Sequence, residues 1–459
     1  MNVSVTACAP ASSRSRLVRP RARIGSRVAA AAVALLAFAA PACATTIERV
    51  VSPLGIEAWL VHEPAVPLVA VEFAFVGGAA QDPSGKAGTA TLVASLLDEG
   101  AGDFDSKAFH QRLERKAVEL SFSAERDSIH GSLRTLTANR DEAFDDLRLS
   151  LTAPRFDPSD VEVIRAQVVS LVRRETTSPN DISSQRWFET AFAGHPYGRP
   201  VNGSLETVPG ITVADLKDYS RRVLARDNLK IAVVGDIDAE SVKVMLDRVF
   251  GALPAKPELT PVATVAPQGL GRRIVVKLDV PQAVVTFGGP GIARKDPDFM
   301  AAYIVNHILG GGSFSSRLYQ EVREKRGLAY SVNDSLVWLN HSSLFLGGTA
   351  TRADRAGETL DLIDKEIHRL AEDGPTADEL AKAKAYLKGS FVLNLDTSSK
   401  IASFLLQLQL DGIGADYMTR RPQLIDAVTL DDAKRVAKRL LDGGMLVTVV
   451  GRPEGIAAK

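Results

Sequence analysis

Two segments of the chain repeat one pattern of apolar and polar positions. The stretches TVADLKDYSRRVL (212–224) and TLDDAKRVAKRLL (429–441) each begin with a threonine and then place apolar residues three or four positions apart. This spacing is typical of an amphipathic helix, and threonine is a favoured N-cap. Each stretch is followed by an apolar run that closes on glycine, NLKIAVVGD (228–236) and MLVTVVGRP (445–453), which predicts a strand that ends in a turn.

The repeat extends to the start of each half. VPLVAVEFAFVGGAAQDPSG (66–85) and VPQAVVTFGGPGIARKDPDF (280–299) both predict a strand, a glycine turn and a polar break before a helical pattern. A period this long indicates two duplicated domains and not an array of small repeats. The Pro-rich segment between the two predicted domains, GALPAKPELTPVATVAPQGLG (251–271), is typical of an extended linker.

The pattern therefore predicts a domain at residues 45–255, a linker at 256–272 and a second domain at 273–459. Strands and helices mix without strict β–α–β alternation, so the predicted fold class is α+β. We expect two homologous domains, each a largely antiparallel sheet with helices packed on one face.

Residues 1–44 differ from the rest of the chain. They contain six arginines and no acidic residue, then the apolar run VAAAAVALLAFAA, and they end in Ala42-Cys43-Ala44. A basic start, a short apolar run and an A-x-A end are typical of a secretory signal peptide, so we expect export across an inner membrane to the periplasm. Two alternatives stay open, which are a retained membrane anchor and lipid attachment at Cys43.

Removing this leader changes the charge of the predicted mature chain. The sequence has 55 basic and 55 acidic residues, so losing six arginines and no acids leaves a net charge of −6. Nucleic acid binding requires the opposite sign, and that class is excluded. Both cysteines, Cys8 and Cys43, lie in the leader, which leaves no disulfide and no thiolate chemistry. No other apolar run is long enough for a stable membrane span.

Four stretches resemble the pitrilysin/insulinase metallopeptidase family, which includes the mitochondrial processing peptidases. They are VGGAAQDPSGKAGTATLVASLL (76–97), GHPYGRPVNGSLETVPGITVADLKDY (194–219), NLKIAVVGDID (228–238) and LGGGSFSSRLYQEVREKRGLAYSV (309–332). The matching pieces run through nearly the whole predicted mature chain. The resemblance implies paired α+β domains that face another such pair across a closed chamber.

Active members of that family carry H-x-x-E-H on a helix. Two histidines at i and i+4 share one helix face and can hold one zinc ion, and the glutamate acts as the general base. In the matching stretch, Thr91 and Ser95 stand at the histidine positions and Ala94 stands at the glutamate position. The resemblance places the third ligand between Gln167 and Val172, where no carboxylate occurs. We therefore expect no metal in this chain.

The histidines of the chain offer no substitute site. No two of the seven lie three to five residues apart. His110 and Glu114 have helical spacing, but one histidine and one glutamate form a weak site, and a solvated helix face is the expected role. His195 lies in the turn-forming sequence GHPYG, where we expect a structural role.

The second half keeps residues that the resemblance assigns to substrate. SSRLYQEVREKRGLAY (315–330) predicts a helix stopped by Gly327 and a strand that starts near Leu328. The family match implies that Arg323 and Tyr330 project toward the active site and bind the scissile peptide. A guanidinium and a phenol can both donate hydrogen bonds to a developing oxyanion.

Gly310, Gly311 and Gly312 predict a flexible loop before that helix, because glycines let a backbone approach a ligand closely. The resemblance implies a loop near the chamber entrance that handles substrate. A plain turn between two helices is the alternative.

Three functions are compatible with these observations. The leading hypothesis is a non-catalytic subunit that contributes Arg323 and Tyr330 to the zinc site of a homologous peptidase subunit. The zinc then belongs to the partner, and peptides are the substrates. A non-enzymatic peptide-binding or scaffold protein of the same fold is the alternative, and a zinc peptidase that acts alone with unusual ligands is the third.

Overall fold

A computed structural model describes residues 46–456 of the chain. The predicted leader, residues 1–44 with Cys43, lies outside this range. Within the described residues, no helix combines the length and the apolar character that crossing a membrane requires.

The first half builds one six-stranded sheet. Its strands are β1 (Glu48–Val51), β2 (Glu57–His62), β3 (Leu68–Val76), β4 (Glu119–Ala124), β5 (Ser128–Leu136) and β6 (Leu229–Gly235). Their spatial order is β1-β2-β6-β3-β5-β4. The β2–β6 pair is parallel and the other neighbouring pairs are antiparallel. Strand β4 therefore forms one edge of the sheet.

The second half builds a five-stranded sheet with the same topology. Its strands are β7 (Arg273–Lys277), β8 (Gln282–Pro290), β9 (Ala329–Leu339), β10 (Ser342–Arg352) and β11 (Leu446–Gly451). The order β7-β11-β8-β10-β9 repeats the order β2-β6-β3-β5-β4, and β7–β11 is again the parallel pair. The predicted α+β class is confirmed, with mixed sheets that are largely antiparallel.

Helices connect and cover the strands of both sheets. They are α1 (Thr89–Ala94), α2 (Ser106–Arg115), α3 (Arg140–Thr152), α4 (Pro158–Glu175), α5 (Pro179–Ala191), α6 (Val213–Val223), α7 (Ala239–Phe250), α8 (Phe299–Asn306), α9 (Ala356–Asp373), α10 (Ala377–Gly389), α11 (Ser398–Leu410), α12 (Tyr417–Ala427) and α13 (Leu430–Leu441). The repeated sequence pattern forms α6 and α13. Each begins with a reciprocal capping box, Thr212 with Asp215 and Thr429 with Asp432.

One helix of each half packs on the sheet of the other half. Helix α5 lies on β8 and β11, and helix α11 lies on β3 and β6. Side chains join these layers, because Nε1 of Trp187 donates to the carbonyl of Leu446 at 3.0 Å and Nε2 of Gln409 donates to that of Ile231 at 2.8 Å. The predicted helix layer on one face of each sheet is thus joined by a helix from the other half on the opposite face. Central strands such as β6 are buried on both sides and need cover on both.

The contiguous boundaries at 45–255, 256–272 and 273–459 stay a prediction, and the two exchanged helices pack across them. Helix α5 belongs to the first half in sequence but to the second sheet in packing. The exchange makes each sheet depend on a helix from the other half for one of its covered faces.

The duplication is also visible in one packing detail. Phe73 of β3 lies opposite Gly131 of β5, and Phe287 of β8 lies opposite Gly347 of β10. In both halves the phenyl ring covers the glycine, so that a Cβ on either glycine would enter the ring. A ring of this size fits the sheet surface only over a residue without a side chain.

Gly131→Ala and Gly347→Ala are each expected to lower the free energy of unfolding by roughly 1–3 kcal/mol. The added methyl must push a buried phenylalanine out of its position. Urea denaturation of the purified chain measures the effect. Gly443→Ala is the matched control, since no described atom lies within 4 Å of a Cβ built there. Equal stability of the Gly131 and Gly443 variants would contradict this packing.

Candidate functional site

Helix α1 contains Thr91, one of the two positions where histidines were expected from the resemblance, and its hydroxyl is used for internal hydrogen bonds. Thr91 Oγ1 donates to the carbonyl of Val201 at 2.9 Å and lies 3.4 Å from Oδ1 of Asn202. The Asn202 amide donates to Oε1 of Glu175 at 2.7 Å. Glu175, at the end of α4, is therefore connected to α1 through an amide side chain.

The donor groups of helix α1 do not fit a zinc ion. Thr91 and Ser95 offer neutral hydroxyls, and the buried Ala94 side chain has no donor atom. Zinc sites in proteins use imidazole, thiolate or carboxylate ligands. Within residues 46–456, no group of three or more His, Cys, Asp or Glu side chains is placed to hold a metal ion.

A buried carboxylate holds the N-terminus of α1. Asp82 accepts the N–H groups of Gly88 and Ala90, one on each carboxylate oxygen, both at 2.8 Å. Burial raises the pKa of Asp82 to about 7, and the backbone donors offset only part of that rise. Arg199 donates to the carbonyls of Asp82 and Ala80 and fixes the same corner. The family-like stretches around Asp82 and Arg199 therefore have a structural use here.

The stability of the chain is expected to fall as the pH rises from about 4 to about 7. Because the pKa of Asp82 is higher in the folded chain than in the unfolded chain, the folded chain binds the extra proton in this window and loses that advantage as the proton leaves. Asp82→Asn should remove roughly 2–4 kcal/mol of this pH dependence.

Urea denaturation near pH 5 and near pH 8 measures this difference. Asp105→Asn is the control, because Asp105 caps α2 at the surface by accepting the N–H of Ala108. That variant should change stability little, because asparagine caps a helix about as well as aspartate, and it should not flatten the pH dependence. The interpretation fails if the Asp82→Asn chain keeps the wild-type slope.

Acidic side chains and one histidine border a cavity of about 560 Å³ next to strand β4. His110 and Glu114, which were expected on a solvated helix face, are partly exposed and exposed, respectively, and both line this cavity. His110 Nδ1 lies 4.0 Å from Oε2 of Glu99, and burial raises the pKa of Asp98 to about 6. The sequence signal was the acidic pair Asp98-Glu99, four residues after the end of α1. The proximity of α2 to this pair could not be predicted from spacing.

His195 has the structural role that was predicted. Its Nε2 is 2.9 Å from the carbonyl of Ala263, and its Nδ1 accepts the N–H of Tyr197. The Tyr197 hydroxyl donates to Asp127 at 2.7 Å and accepts the backbone N–H of His341 at 3.0 Å. This turn therefore connects the linker, the first sheet and the β9–β10 hairpin of the second sheet.

Arg323 and Tyr330 are brought together in the second half. The guanidinium carbon of Arg323 lies 4.6 Å from the centre of the Tyr330 ring, and Tyr330 is 81% exposed. A bulge in the β9–β10 ladder, between Thr349 and Thr351, lies opposite Tyr330. A bulge breaks the strict alternation of side chains, which allows Tyr330 to point outward.

Tyr319 is a third member of this site that the sequence analysis missed. The Arg323 guanidinium lies 4.9 Å from the centre of the Tyr319 ring and donates to its hydroxyl. The predicted helix is π-helical over Tyr319–Glu324, and Tyr319 and Arg323, four residues apart, lie on one face of it. Gly327, with φ of 59°, ends the helix as predicted. The guanidinium is thus held between two tyrosine rings.

The glycine stretch is a tight turn and not the flexible loop that was expected. Gly310 and Gly311 close a π-helical segment, His307–Gly311, and Gly312 follows it. Gly310 is buried, and a Cβ at this position would stand 2.8 Å from Cγ of Asp334. The close approach of Asp334 is the physical reason for the tight turn. Phe314, just beyond the turn, is 70% exposed and packs edge-on against Tyr319 at 5.1 Å.

Comparison with known proteins agrees with this architecture. Residues 58–204 match the profile described as Insulinase (Peptidase family M16), and residues 210–387 match the one described as Peptidase M16 inactive domain. An uncharacterized zinc protease of Streptomyces coelicolor is 31% identical over 361 residues, which cover 73% of this chain and 77% of the relative. A non-peptidase homolog of Helicobacter pylori is 26% identical, with the same shares covered.

A solved structure extends the match to three dimensions. The crystal structure of a peptidase M16 inactive domain from Pseudomonas fluorescens superimposes with a TM-score of 0.84 at 26% identity, covering 90% of this chain and 99% of that chain. Fold, sequence profiles and relatives agree over both halves. The chain belongs to the insulinase family of peptidases, family M16, and lacks that family's zinc-binding residues on helix α1.

Proposed function

We propose that this chain is a non-catalytic subunit of a heteromeric metallopeptidase, in which a homologous partner subunit carries the zinc ion. One observation carries the proposal. Helix α1 offers no zinc ligand, whereas Arg323 and Tyr330 are in contact and Tyr330 is exposed. Such a pair can serve peptide hydrolysis only where another chain provides the hydrolytic centre.

Arg323 and Tyr330 act on the peptide carbonyl in this proposal. Peptide hydrolysis develops negative charge on the carbonyl oxygen, and N–H and O–H donors aimed at that oxygen stabilise the transition state. Among the described residues Arg323 has no carboxylate partner, and its guanidinium donates to the Tyr319 hydroxyl. The remaining guanidinium donors are therefore available for a bound peptide.

Peptides are the proposed substrates because the Arg323–Tyr330 pair borders a sheet edge. Strand β9 is the outer strand of the second sheet, and Tyr330 lies at its beginning. An outer strand can pair its backbone with an extended peptide segment. The Gly310–Gly312 turn and the exposed Phe314 lie beside the pair and supply a second contact surface in this proposal.

The proposed setting is the periplasm, where an exported subunit would meet an exported partner. The leader-like residues 1–44 support this setting. Nucleic acid has no part in the proposal.

Co-expression with a homologous subunit that contains H-x-x-E-H tests the proposal. We expect the two chains to co-purify and to hydrolyse a fluorogenic peptide only as a mixture. Assembly with no gain in hydrolysis would favour the scaffold alternative. Equal hydrolysis by the zinc subunit alone and by the mixture would contradict a contribution from this chain.

A further inference from the structure

We propose that Asp334 and Asn306 are positioning residues of the Gly310–Gly312 turn. Through this turn, the surface beside Arg323 responds to protonation of the buried carboxyl group of Asp334. The consequence for peptide binding rests on the proposed function. The consequence for the turn itself does not.

Geometry places Asp334 directly beneath the turn. Nδ2 of Asn306 donates to Oδ1 of Asp334 at 2.5 Å, and the N–H groups of Gly310 and Gly311 approach the same carboxyl group. A Cβ on Gly310 would stand 2.9 Å from both Oδ1 and the backbone nitrogen of Asp334. The turn can therefore take this shape only while the carboxyl group, the asparagine and the glycines keep these contacts.

The carboxyl group of Asp334 has no charged partner among residues 46–456. Its Oδ2 is buried and accepts no hydrogen bond within that range. The groups that favour its ionised form are the Asn306 amide from α8 and the N–H groups of Gly310 and Gly311. Gly347, its neighbour on β10, brings no side chain. Burial outweighs these amides and raises the pKa of Asp334 well above its ordinary value.

The one titratable neighbour in the same segment is His307. Its side chain is 8% exposed, it stacks on the exposed Tyr386 at 5.0 Å, and burial lowers its pKa below the ordinary 6.5. His307 is therefore neutral above pH 6.5 and does not change charge there. A pH effect on the turn above this value comes from Asp334.

Linkage fixes the sign of the effect. When the turn opens, Asp334 reaches water and releases its proton, because its pKa in the open state returns to the ordinary value of 3.8. Below the raised pKa of the closed turn, opening therefore becomes up to about tenfold more frequent for each pH unit. The turn therefore opens rarely at lower pH and opens more often as the pH rises.

Hydrogen–deuterium exchange of the whole isolated chain tests this inference. Protection of residues 307–316, corrected for the intrinsic rate, should fall by up to about tenfold per pH unit as the pH rises above 6.5 toward the raised pKa of Asp334. Asp334→Asn keeps the size of the side chain and cannot ionise, so its protection should not depend on pH. Asn306→Ala should lower protection about tenfold at each pH.

Asp146→Asn is the matched control, because Asp146 is also a buried aspartate with one unpaired oxygen but lies in the first half. It should leave the exchange of residues 307–316 unchanged. An Asp334→Asn chain that keeps the wild-type pH dependence would overturn the inference. So would protection in wild type that does not vary with pH.

A second readout separates this inference from the proposed function. In the two-subunit enzyme, KM for a peptide should rise with pH over the same window in wild type, and this rise should be absent in Asp334→Asn. If exchange behaves as expected but KM does not, the turn is positioned by Asp334 and the proposed peptide contact is wrong. If exchange fails, the inference falls whatever the kinetics show.

Discussion

Replacing Arg323 with alanine in the two-subunit enzyme is expected to lower kcat roughly 10²-fold while assembly stays intact. Loss of one preorganised donor to a developing oxyanion has this size of effect in other hydrolases. Arg323 is only partly buried, so we expect the π-helical segment to stay folded without it. Steady-state kinetics on a fluorogenic peptide, with size-exclusion chromatography of the complex, measures both properties.

Tyr330→Phe should lower kcat in the same direction, because it removes only the hydroxyl donor. Arg326→Ala is the control. Arg326 ends the same helix but pairs with Glu321 at 2.7 Å, so its loss should leave kcat near the wild-type value. If Arg323→Ala and Arg326→Ala behave alike in an active mixture, Arg323 has no role at the reacting carbonyl.

Trp187→Ala should give the largest loss of stability, roughly 3–5 kcal/mol. Trp187 is fully buried on helix α5, the helix that the first half places on the second sheet. The substitution leaves a cavity between α5 and β11 and removes the hydrogen bond from Nε1 to the carbonyl of Leu446. Urea denaturation followed by circular dichroism measures the change in the free energy of unfolding.

The same variant tests the helix exchange. If each sheet needs the helix of the other half, weakening α5 should separate the unfolding of the second half from that of the first and broaden the transition. Val244→Ala, on the exposed face of α7, is the control and should change stability by less than about 0.5 kcal/mol. A loss below about 1 kcal/mol in Trp187→Ala would contradict the described packing of α5.

Local patterns in the sequence predicted much of the fold. The capping boxes at Thr212 and Thr429 depend on residues three positions apart, and the helix stop at Gly327 depends on one residue's conformation. Both signals are short-range, so they could be identified without the structure. The order of strands and the exchange of α5 and α11 depend on packing between distant segments. An amphipathic pattern shows that a helix has an apolar face but not which sheet that face covers.

Some residues of the candidate site could likewise be predicted from the sequence and others could not. The missing zinc ligands at Thr91 and Ser95 are a matter of residue type, and Arg323 with Tyr330 is a matter of spacing within one motif. Tyr319 lies four residues before Arg323, a spacing that places both on one helix face, so this contact could have been predicted from the sequence. Asp334 was missed because its partner, Asn306, lies on another element, and only folding brings the two beneath the glycine turn.

Zinc content and peptide hydrolysis of the purified chain, measured without any partner, test the central claim most directly. The hydroxyl and methyl groups at Thr91, Ala94 and Ser95 predict well below one zinc per chain and no chelator-sensitive hydrolysis. About one tightly bound zinc per chain, with hydrolysis that chelation abolishes and added zinc restores, would contradict the account.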